Sequence, residues 1–235
     1  MSTWLVTGGS RGIGRAVVEY VAAAGEQVAA LSRSPAPEFA EGVLEVKADV
    51  TDPESIRRGI DTVLEQFGSL DVVVNVAGVH RGGRIDGLER EAWDEVLSTN
   101  LTGAYEVCRA AVPVLPAGGA IVNVGAVVGL RGFPGDAAYG SAKAGLSGLT
   151  QVLAVELAPR GIRVNLVVPG FVDTDMTAGL SERARQRVLD TIPAGRTGTP
   201  REIAEVIVAV ARSTYMTGAT VPVDGGLLAT FGGGR

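Results

Sequence analysis

Thr7-Gly8-Gly9-Ser10-Arg11-Gly12-Ile13-Gly14 is the stretch of this sequence that decides the fold. It follows the apolar run Trp4-Leu5-Val6, which predicts a buried strand, and it leads into a helical pattern over Arg15–Ala22. Glycines at such a turn leave no side chain between the backbone and a ligand, and the helix N-terminus that follows favours an anion. Pyrophosphate is the anion typical of a strand–turn–helix unit. A glycine-rich turn without a ligand is the alternative, because the spacing is Gly-x-x-x-Gly-x-Gly rather than Gly-x-Gly-x-x-Gly.

Apolar runs alternate with helical patterns along the rest of the chain, which is typical of βαβ units on a parallel sheet. We predict an α/β fold, a single Rossmann-type domain over residues 1–235 whose doubly wound parallel sheet has about seven strands and helices on both faces. The predicted strands are 4–6, 27–31, 43–48, 71–75, 120–124, 162–168 and 219–223. The predicted helices are 15–22, 51–67, 90–115, 136–159, 177–190 and 200–211, and residues 231–235 are predicted to be a loose tail.

Composition narrows the function classes. The net charge is −5 and no basic cluster stands out, so no nucleic-acid partner is expected. The single cysteine, Cys108, excludes an internal disulfide and fits a reducing compartment. No signal peptide opens the chain and no apolar run is long enough to span a bilayer, so we expect a cytoplasmic protein without a membrane partner. No metal site is predicted.

Small and polar residues follow several predicted strands. In this fold ligands bind beyond the carboxyl ends of the strands, where the strand order reverses. We therefore expect one crevice to gather the residues that stand at those ends, namely Gly8–Gly14, Asp49-Val50, Asn75–Gly78, Gly125 and Pro169-Gly170. That convergence favours a dinucleotide ligand over an empty glycine turn.

The end of the second strand distinguishes NADP from NAD. An acidic residue about 20 positions beyond the glycine turn would bind the 2′-hydroxyl of NAD. Here the region reads Leu31-Ser32-Arg33-Ser34, with an arginine and no carboxylate, and Arg11 could reach the same phosphate. Because a guanidinium donates two parallel hydrogen bonds to a phosphate, we predict NADP(H) as the cofactor. Two solvated surface arginines are the alternative.

Tyr139 and Lys143 stand at i and i+4 of a predicted helix and hence on one face. A tyrosine has a pKa near 10, and a lysine held close is expected to lower it. Such a phenol can give its proton to a ketone oxygen as hydride reaches the carbon. Tyr-x-x-x-Lys is also common by chance, and an exposed helix pair is the alternative; the glycine turn upstream favours the catalytic interpretation.

These motifs together resemble the short-chain dehydrogenase/reductase family, and within it the 3-oxoacyl-[acyl carrier protein] reductases. Beyond the glycine turn, the matching pieces are Asp49-Val50, Asn75–Gly78, Ser98–Leu101, Tyr139–Gly145, Pro169–Met176, Pro193–Arg196 and Val223–Gly226. They cover nearly the whole chain in the family's order. The resemblance implies a ketoreductase of fatty-acid or polyketide synthesis that acts on a 3-oxoacyl thioester or a related ketone.

The resemblance also implies residue roles. Tyr139 would be the general acid, Lys143 its activator and a ribose ligand, and Asn100 the residue that holds a water in a proton relay. The cofactor-binding set would be Gly8, Ser10, Arg11, Gly12, Ile13, Gly14, Arg33, Asp49, Val50, Asn75, Ala77, Gly78, Tyr139, Lys143, Pro169, Gly170, Val172, Thr174 and Met176, with Asn75, Ala77 and Gly78 beside the adenosine and its ribose and Pro169–Met176 around the nicotinamide. Family members usually assemble as tetramers through two long central helices and the C-terminal strand.

One position departs from the family's pattern. Its serine, thirteen positions before the tyrosine, is Ala126 here, and Ser141 would point away from the face of Tyr139. Losing one preorganised donor typically costs about 10²–10³ in rate, so a weakened reductase is expected. Either a serine was deliberately replaced or the natural protein lacks it; the otherwise intact motif set favours the former.

The substrate side is less well defined by the sequence. Val112–Gly119 lacks the basic residues common before the fifth strand in carrier-protein reductases, whereas Arg183, Arg185 and Arg187 could attract an acidic acyl carrier protein or form an ordinary solvated face. His80 is interpreted as a surface imidazole outside the catalytic set. Two further functions stay open: a dinucleotide-binding sensor or partner protein with little catalysis, which Ala126 favours, and an alcohol dehydrogenase that works in the oxidative direction.

Overall fold

Seven parallel strands form one sheet in the computed structural model, which describes residues 1–34, 39, 42–179 and 181–230. The strands are β1 (Thr3–Thr7), β2 (Gln27–Ser32), β3 (Val43–Lys47), β4 (Val72–Asn75), β5 (Ala120–Val124), β6 (Arg163–Pro169) and β7 (Thr220–Val223). Their order is β3-β2-β1-β4-β5-β6-β7, so it reverses between β1 and β4, the place where doubly wound sheets bind ligands. The predicted fold class is confirmed.

Helices connect the strands and cover both faces of the sheet. They are α1 (Gly12–Ala23), α2 (Pro53–Phe67), α3 (Arg90–Leu97), α4 (Gly103–Ala111), α5 (Ala137–Leu157), α6 (Glu182–Leu189) and α7 (Pro200–Arg212). Between α3 and α4 the backbone stays helical but widens into a π-helical turn, Ser98–Thr102. Within the described ranges, no helix combines the length and the apolar character needed to cross a membrane.

Two apolar layers sandwich the sheet, as alternation along a strand requires. On β1, Trp4 and Val6 pack with the layer that contains residues of α1 and α7, whereas Leu5 packs with the layer that contains residues of α2, α4 and α5. All three side chains are almost fully buried. The apolar run that precedes the glycine turn is therefore the centre of the core, and it fixes the turn at the carboxyl edge of the sheet.

The boundaries of most elements match the predictions, and three helices differ. Helix α1 begins at Gly12, three residues before the predicted start, because the glycine turn itself enters the helix. The predicted helix 90–115 ends at Ala111. The predicted helix 177–190 is reduced to Glu182–Leu189, with the Ser181 hydroxyl accepting from the Ala184 N–H as its N-cap. The predicted tail, 231–235, lies outside the described residues.

Candidate active site

The glycine turn forms a cradle of bare backbone at the N-terminus of α1. Gly8 and Gly12 have φ values of 67° and 54°, the left-handed region that favours glycine. A Cβ on Gly14 would lie 2.2 Å from the Gly8 carbonyl oxygen, so no side chain fits there. The N-cap residue, Arg11, makes no side-chain capping bond, which leaves the first N–H groups of α1 uncovered by its side chain. This cradle fits a pyrophosphate.

The ends of β4 and β6 meet this cradle. The Thr7 hydroxyl accepts hydrogen bonds from the N–H groups of Val76 and Ala77, both at 3.1 Å, and so joins the ends of β1 and β4. A Cβ on Gly8 would lie 2.8 Å from the Ala77 Cα, and one on Gly12 would lie 3.4 Å from the Thr174 methyl group. The structure therefore brings together segments that the sequence assigned to one crevice.

The end of β2 carries the residues expected to select the phosphate. Arg11 is exposed, and the Arg33 side chain is 59% exposed. Asp49 lies beside Arg33, but its carboxylate approaches the guanidinium only to 3.9 Å, and its Oδ1 accepts from the N–H and hydroxyl of Thr51. Because Arg33 keeps most of its surface in solvent, the carboxylate does not fill the space where a 2′-phosphate would bind.

The side chain of Asn75 is directed into the core rather than into the crevice. Its Nδ2 donates to Asn123 Oδ1 at 2.9 Å and contacts the Cys108 sulfur at 3.3 Å, and the residue is 4% exposed. Asn123 in turn donates to the Thr150 hydroxyl at 2.9 Å, which links β4 through β5 to α5. Only the backbone of Asn75 is therefore left to meet an adenosine, while Ala77 and Gly78 lie at the crevice.

Asn100 sits in the π-helical turn between α3 and α4, a kind of distortion frequent at functional sites. Its Oδ1 accepts from the Val79 N–H at 2.9 Å, and its Nδ2 donates to the Val79 carbonyl at 2.8 Å. A Cβ on Gly78 would lie 2.5 Å from Asn100 Oδ1, so the glycine is required for this approach. The pair of bonds fixes the loop after β4 against the π turn.

Tyr139 and Lys143 lie in the first two turns of α5, at the carboxyl edge of the sheet. Lys143 is 5% exposed; its Nζ lies 5.6 Å from the centre of the Tyr139 ring and donates to the Val124 carbonyl at 2.8 Å. A Cβ on Gly129 would lie 2.7 Å from the Lys143 backbone, so the loop after β5 packs directly on this helix. The predicted Tyr–Lys pair therefore consists of a buried lysine and a half-buried tyrosine, and it is not an exposed helix pair.

Burial sets the protonation of this pair. It raises the pKa of Tyr139 to about 12, with the negative charge of Asp136 adding to the effect, and it lowers the pKa of Lys143 to about 8. The expectation that the lysine lowers the pKa of the tyrosine is therefore wrong in this structure, because loss of hydration, with the charge of Asp136 adding to it, determines the direction of the shift. At neutral pH the phenol keeps its proton, which is the form that can donate.

Ala126 lies two residues beyond Val124, the last residue of β5. Its backbone is extended (φ −162°, ψ 154°), a conformation that serine adopts equally well, and it is half-buried. Its carbonyl accepts from the Gly129 N–H at 2.9 Å in a short 3₁₀ turn that packs against α5. Ser141 is exposed, as its place on the helix predicted.

The loop after β6 closes the crevice on the side opposite β2. A Cβ on Gly170 would lie 2.6 Å from the Asp224 Cα, and Val172, 5% exposed, bridges to Gly198. Met176 is 48% exposed. Asp173 accepts from Arg185 of α6 at 2.7 Å and from the Thr197 hydroxyl at 2.6 Å, so a lid made of residues 174–179 and 181–198 is tied to this loop by these two side chains as well as by the bridge from Gly198 to Val172.

His80 is the site residue that the sequence interpretation set aside. Its side chain is 36% exposed, in keeping with the surface-imidazole interpretation, but it also packs edge-on against Tyr139, with ring centres 5.2 Å apart, and its Nε2 donates to Asp136 Oδ1 at 2.7 Å. The signal was present in the sequence, because His80 follows β4 and Asp136 precedes Tyr139 in the loop after β5. Neighbouring parallel strands end at one edge of the sheet.

The comparisons with known proteins agree with this geometry. A family model described as enoyl-(acyl carrier protein) reductase matches residues 8–228. Carbonyl reductase family member 4 of Danio rerio is 43% identical over 231 residues, 95% of this chain and 96% of that protein. The 3-oxoacyl-[acyl-carrier-protein] reductase FabG of Vibrio cholerae is 40% identical over 233 residues, with the same two coverages.

A solved structure shares the whole architecture. The blue fluorescent protein from a metagenomic library, solved in complex with NADPH, superposes with a TM-score of 0.88 at 31% identity, over 96% of this chain and 97% of that one. The chain therefore belongs to the short-chain dehydrogenase/reductase family. Its curated relatives at about this level of identity are named as carbonyl and 3-oxoacyl reductases.

Proposed function

We propose that this protein is an NADP-dependent ketoreductase that reduces a 3-oxoacyl thioester or a related ketone. The observation that carries the proposal is the pair at the start of α5, in which the buried Lys143 Nζ lies 5.6 Å from the centre of the half-buried Tyr139 ring. A phenol that burial keeps protonated is suited to give a proton to a carbonyl oxygen. The names of the relatives from Danio rerio and Vibrio cholerae support the same chemistry.

Some residues of the crevice bind the cofactor, and others transfer a proton to the substrate. NADPH, when bound, supplies the hydride. Tyr139 donates the proton to the substrate oxygen, and Lys143, held by the Val124 carbonyl, keeps a positive charge beside the phenol. Both ends of the Asn100 amide bond the Val79 backbone, so its side chain fixes the turn and its backbone is left to hold a relay water.

The choice of NADP(H) rests on the glycine cradle and on two cations. The cradle at the N-terminus of α1 suits the pyrophosphate, and Arg33 and Arg11, both exposed at the end of β2 and in the glycine turn, suit a 2′-phosphate. The related blue fluorescent protein was solved with NADPH, which supports the same cofactor here. Replacing Arg33 with alanine would separate affinity for NADPH from affinity for NADH.

An acyl carrier protein is the partner that we propose for the substrate. Arg183 and Arg187 are exposed on α6 and could attract its acidic surface. Arg185 contributes less, because its guanidinium is already engaged by Asp173 at 2.7 Å. The FabG relative of Vibrio cholerae is named for a carrier-bound substrate, which is the second support for this partner.

We also propose a homotetramer. Apolar side chains are exposed on the two central helices: Tyr105 of α4 is 45% exposed, and Val152 and Val155 of α5 are 62% and 78% exposed. Strand β7 lies at the edge of the sheet, where its outer backbone groups can meet another copy. Light scattering of the purified protein tests the assembly.

The location that we propose is the cytoplasm. Cys108 is buried, and burial raises the pKa of its thiol to about 12, so it stays an unreactive core residue. A protein that depends on no disulfide suits a reducing compartment.

The decisive experiment follows NADPH oxidation with a 3-oxoacyl thioester, in the unchanged protein and in Ala126→Ser. Turnover should be measurable and should rise at least about tenfold in the serine variant, because one preorganised donor is typically worth about 10²–10³ in rate. The extended backbone of Ala126 accepts serine without strain, so the thermal midpoint should stay unchanged. Equal rates in both proteins would remove the role assigned to this position.

A dinucleotide-binding sensor or partner protein is the second candidate, and Ala126 is the observation that favours it. Tight NADPH binding with no turnover, both in the unchanged protein and in Ala126→Ser, would support the sensor. Turnover in either protein would support the reductase.

A further inference from the structure

The loop after β4 is clasped to the start of α5 at two points. Gly83 forms a β-bridge with Asp136 in which the Gly83 N–H donates to the Gly135 carbonyl at 2.8 Å, and His80 Nε2 donates to Asp136 Oδ1 at 2.7 Å. Asp136 is the N-cap residue of α5, yet its side chain makes no capping bond because the carboxylate is turned to His80. A side chain that would normally cap the N-terminus of the helix is instead hydrogen-bonded to His80 in the loop after β4.

The clasp acts where Tyr139 enters the helix. Tyr139 is in the first turn of α5, and the edge of its ring meets His80 at a plane angle of 81°. The side chains of Asp136 and His80 are 15% and 36% exposed, so both lie partly out of solvent. Because the two hydrogen-bonded residues lie on different elements, together they fix the position of the neighbouring Tyr139 ring more firmly than either residue could alone.

The charges around Tyr139 are few. Asp136 and Lys143 lie on its own helix and His80 on the opposite loop, whereas Trp93 and Leu97 of α3, which pack against the same apolar cluster as Tyr139, carry no charge. Arg81, the next residue along, is turned away to Glu95 at 2.9 Å. The negative charge of Asp136 raises the pKa of Tyr139 further beyond the effect of burial. Among the described residues, Asp136 is thus the one acidic group that these observations place near the Tyr139 phenol.

We propose that His80 and Asp136 form a positioning pair for Tyr139, which holds the tyrosine ring in the crevice and keeps a carboxylate beside it. The pair lies outside the set that the family resemblance assigned. It stands in a site where the usual serine is Ala126, so that Tyr139 is the donor that remains to orient the substrate oxygen. The kinetic part of this inference rests on the proposed ketoreductase function.

The kinetic experiment uses the reverse reaction, oxidation of a 3-hydroxyacyl thioester with NADP⁺, because Tyr139 must then lose its proton. In Asp136→Asn the rate should begin to rise at a pH lower by about one unit than in the unchanged protein, since a nearby negative charge has been removed. A purely structural lesion would lower the rate at every pH and leave the midpoint in place. A midpoint that stays in place overturns the proposal.

The histidine is tested with a matched pair of variants. His80→Gln keeps a donor for Asp136, whereas His80→Phe keeps the aromatic edge and loses the donor. We expect His80→Phe to lower kcat about tenfold with KM for NADP⁺ unchanged, and His80→Gln to recover most of that loss. Equal losses in the two variants overturn the pair. Arg81→Gln is the control, because its bonds go to Glu95, and it should leave both kcat and the midpoint unchanged.

A second readout does not depend on turnover. Tyrosines labelled with ¹³C at Cζ report ionisation by NMR, and the Tyr139 signal is the one that disappears in Tyr139→Phe. Asp136→Asn should lower the pH at which the Tyr139 signal titrates, and an unchanged titration overturns the proposal. If the unchanged protein reduced no ketone, the proposed function would fail on that assay while this titration would still decide the pair.

Discussion

The crevice has a nucleotide side, formed by the glycine turn and the end of β4, and a reaction side, formed by the start of α5 and the end of β5. Backbone forms most of the first side, and side chains form most of the second. On the nucleotide side, backbone packs on backbone, with Gly14 against Gly8 and Gly8 against Ala77, and the Thr7 hydroxyl is the side-chain group that accepts from two backbone N–H groups there. On the reaction side, side chains do the holding, as in the hydrogen bond from Lys143 to the Val124 carbonyl. A backbone cradle tolerates almost no added atoms, whereas a side-chain site can lose one donor, as at Ala126, and keep its fold.

The largest expected effect is on the reaction side. Tyr139→Phe removes the proton donor and should lower kcat for ketone reduction by about 10³, within the range that general acids contribute. Affinity for NADPH, measured by fluorescence titration, should change less than about threefold, because the cradle lies on the other side. Tyr105→Phe, on the exposed face of α4, is the control and should behave like the unchanged protein. A comparable loss of NADPH affinity in Tyr139→Phe would mean that the two sides are not separable.

The second effect is on the nucleotide side. Gly8→Ala places a methyl group 2.8 Å from the Ala77 Cα at a φ of 67°, so it combines overpacking with backbone strain. Those two costs together amount to about 2–4 kcal/mol. We expect NADPH affinity to fall at least about 30-fold, or the thermal midpoint to fall if the strain is relieved by unfolding the turn.

Gly87→Ala is the control for that substitution. Gly87 has no atom within 4 Å of the added methyl group and no left-handed φ. Its NADPH affinity and thermal midpoint should match those of the unchanged protein. If Gly8→Ala also matched the unchanged protein in NADPH affinity and thermal midpoint, the bare backbone of the glycine turn would not be what binds the nucleotide.

The third effect is a pH dependence of stability on the reaction side. Burial lowers the pKa of Lys143 to about 8, so between about pH 8 and 10.5 the unfolded chain binds more protons than the folded one. Folding stability therefore rises with pH through that window, and below it the full cost of burying the ammonium is present. Lys143→Met lacks this cost, and its advantage in free energy of unfolding should be about 1–3 kcal/mol larger at pH 7 than near pH 10.5.

Urea denaturation at the two pH values checks this prediction. The change in the hydrogen bond to Val124 between the two pH values is already contained in the lowered pKa of Lys143, so it adds no separate difference. The titration of Tyr139 occurs in both proteins and cancels as well. A difference between the variants that does not change with pH would show that Lys143 is not desolvated in solution.

Sequence patterns predicted the sheet and the Tyr–Lys pair because both depend on local spacing. Strand β5 was predicted with its observed bounds, Ala120–Val124, since an apolar run between turn residues leaves few alternatives. Of the segments expected at one crevice, the glycine turn and the end of β4 do meet, as the contact from Gly8 to Ala77 shows, and the glycine turn also contacts Thr174 in the loop after β6. Parallel strands end at one edge of the sheet, so a meeting of these segments can be predicted without knowledge of any side-chain position.

The features that sequence patterns did not predict depend on three-dimensional surroundings. The π turn at Ser98–Thr102 adds one residue to a helical turn and leaves the apolar pattern almost unchanged. The pKa of Tyr139 follows from burial, which spacing along a helix does not report. The bond from His80 to Asp136 joins residues 56 positions apart and requires two loops to meet. Each of these lies on the reaction side, where side chains rather than backbone determine the geometry.

The smallest effect concerns the lid. Arg185 binds Asp173 at 2.7 Å, but both side chains are substantially exposed, 40% and 44%. Exposed ion pairs contribute about 0.2–1 kcal/mol, so Arg185→Ala should raise KM for a small 3-oxoacyl thioester by no more than about fivefold, with kcat and NADPH affinity unchanged. The effect should shrink further in high salt, which screens the pair.

Arg187→Ala separates the lid contact from carrier docking. Arg187 is exposed on the same helix, α6, and no ion pair with Asp173 is formed by it in the described structure. It should leave KM for the small thioester unchanged and raise KM only for a substrate bound to an acyl carrier protein, because it acts through long-range attraction. If Arg185→Ala instead raised KM for the small thioester more than tenfold, Arg185 would have to contact the substrate itself, and the lid would belong to the reaction side as a binding wall.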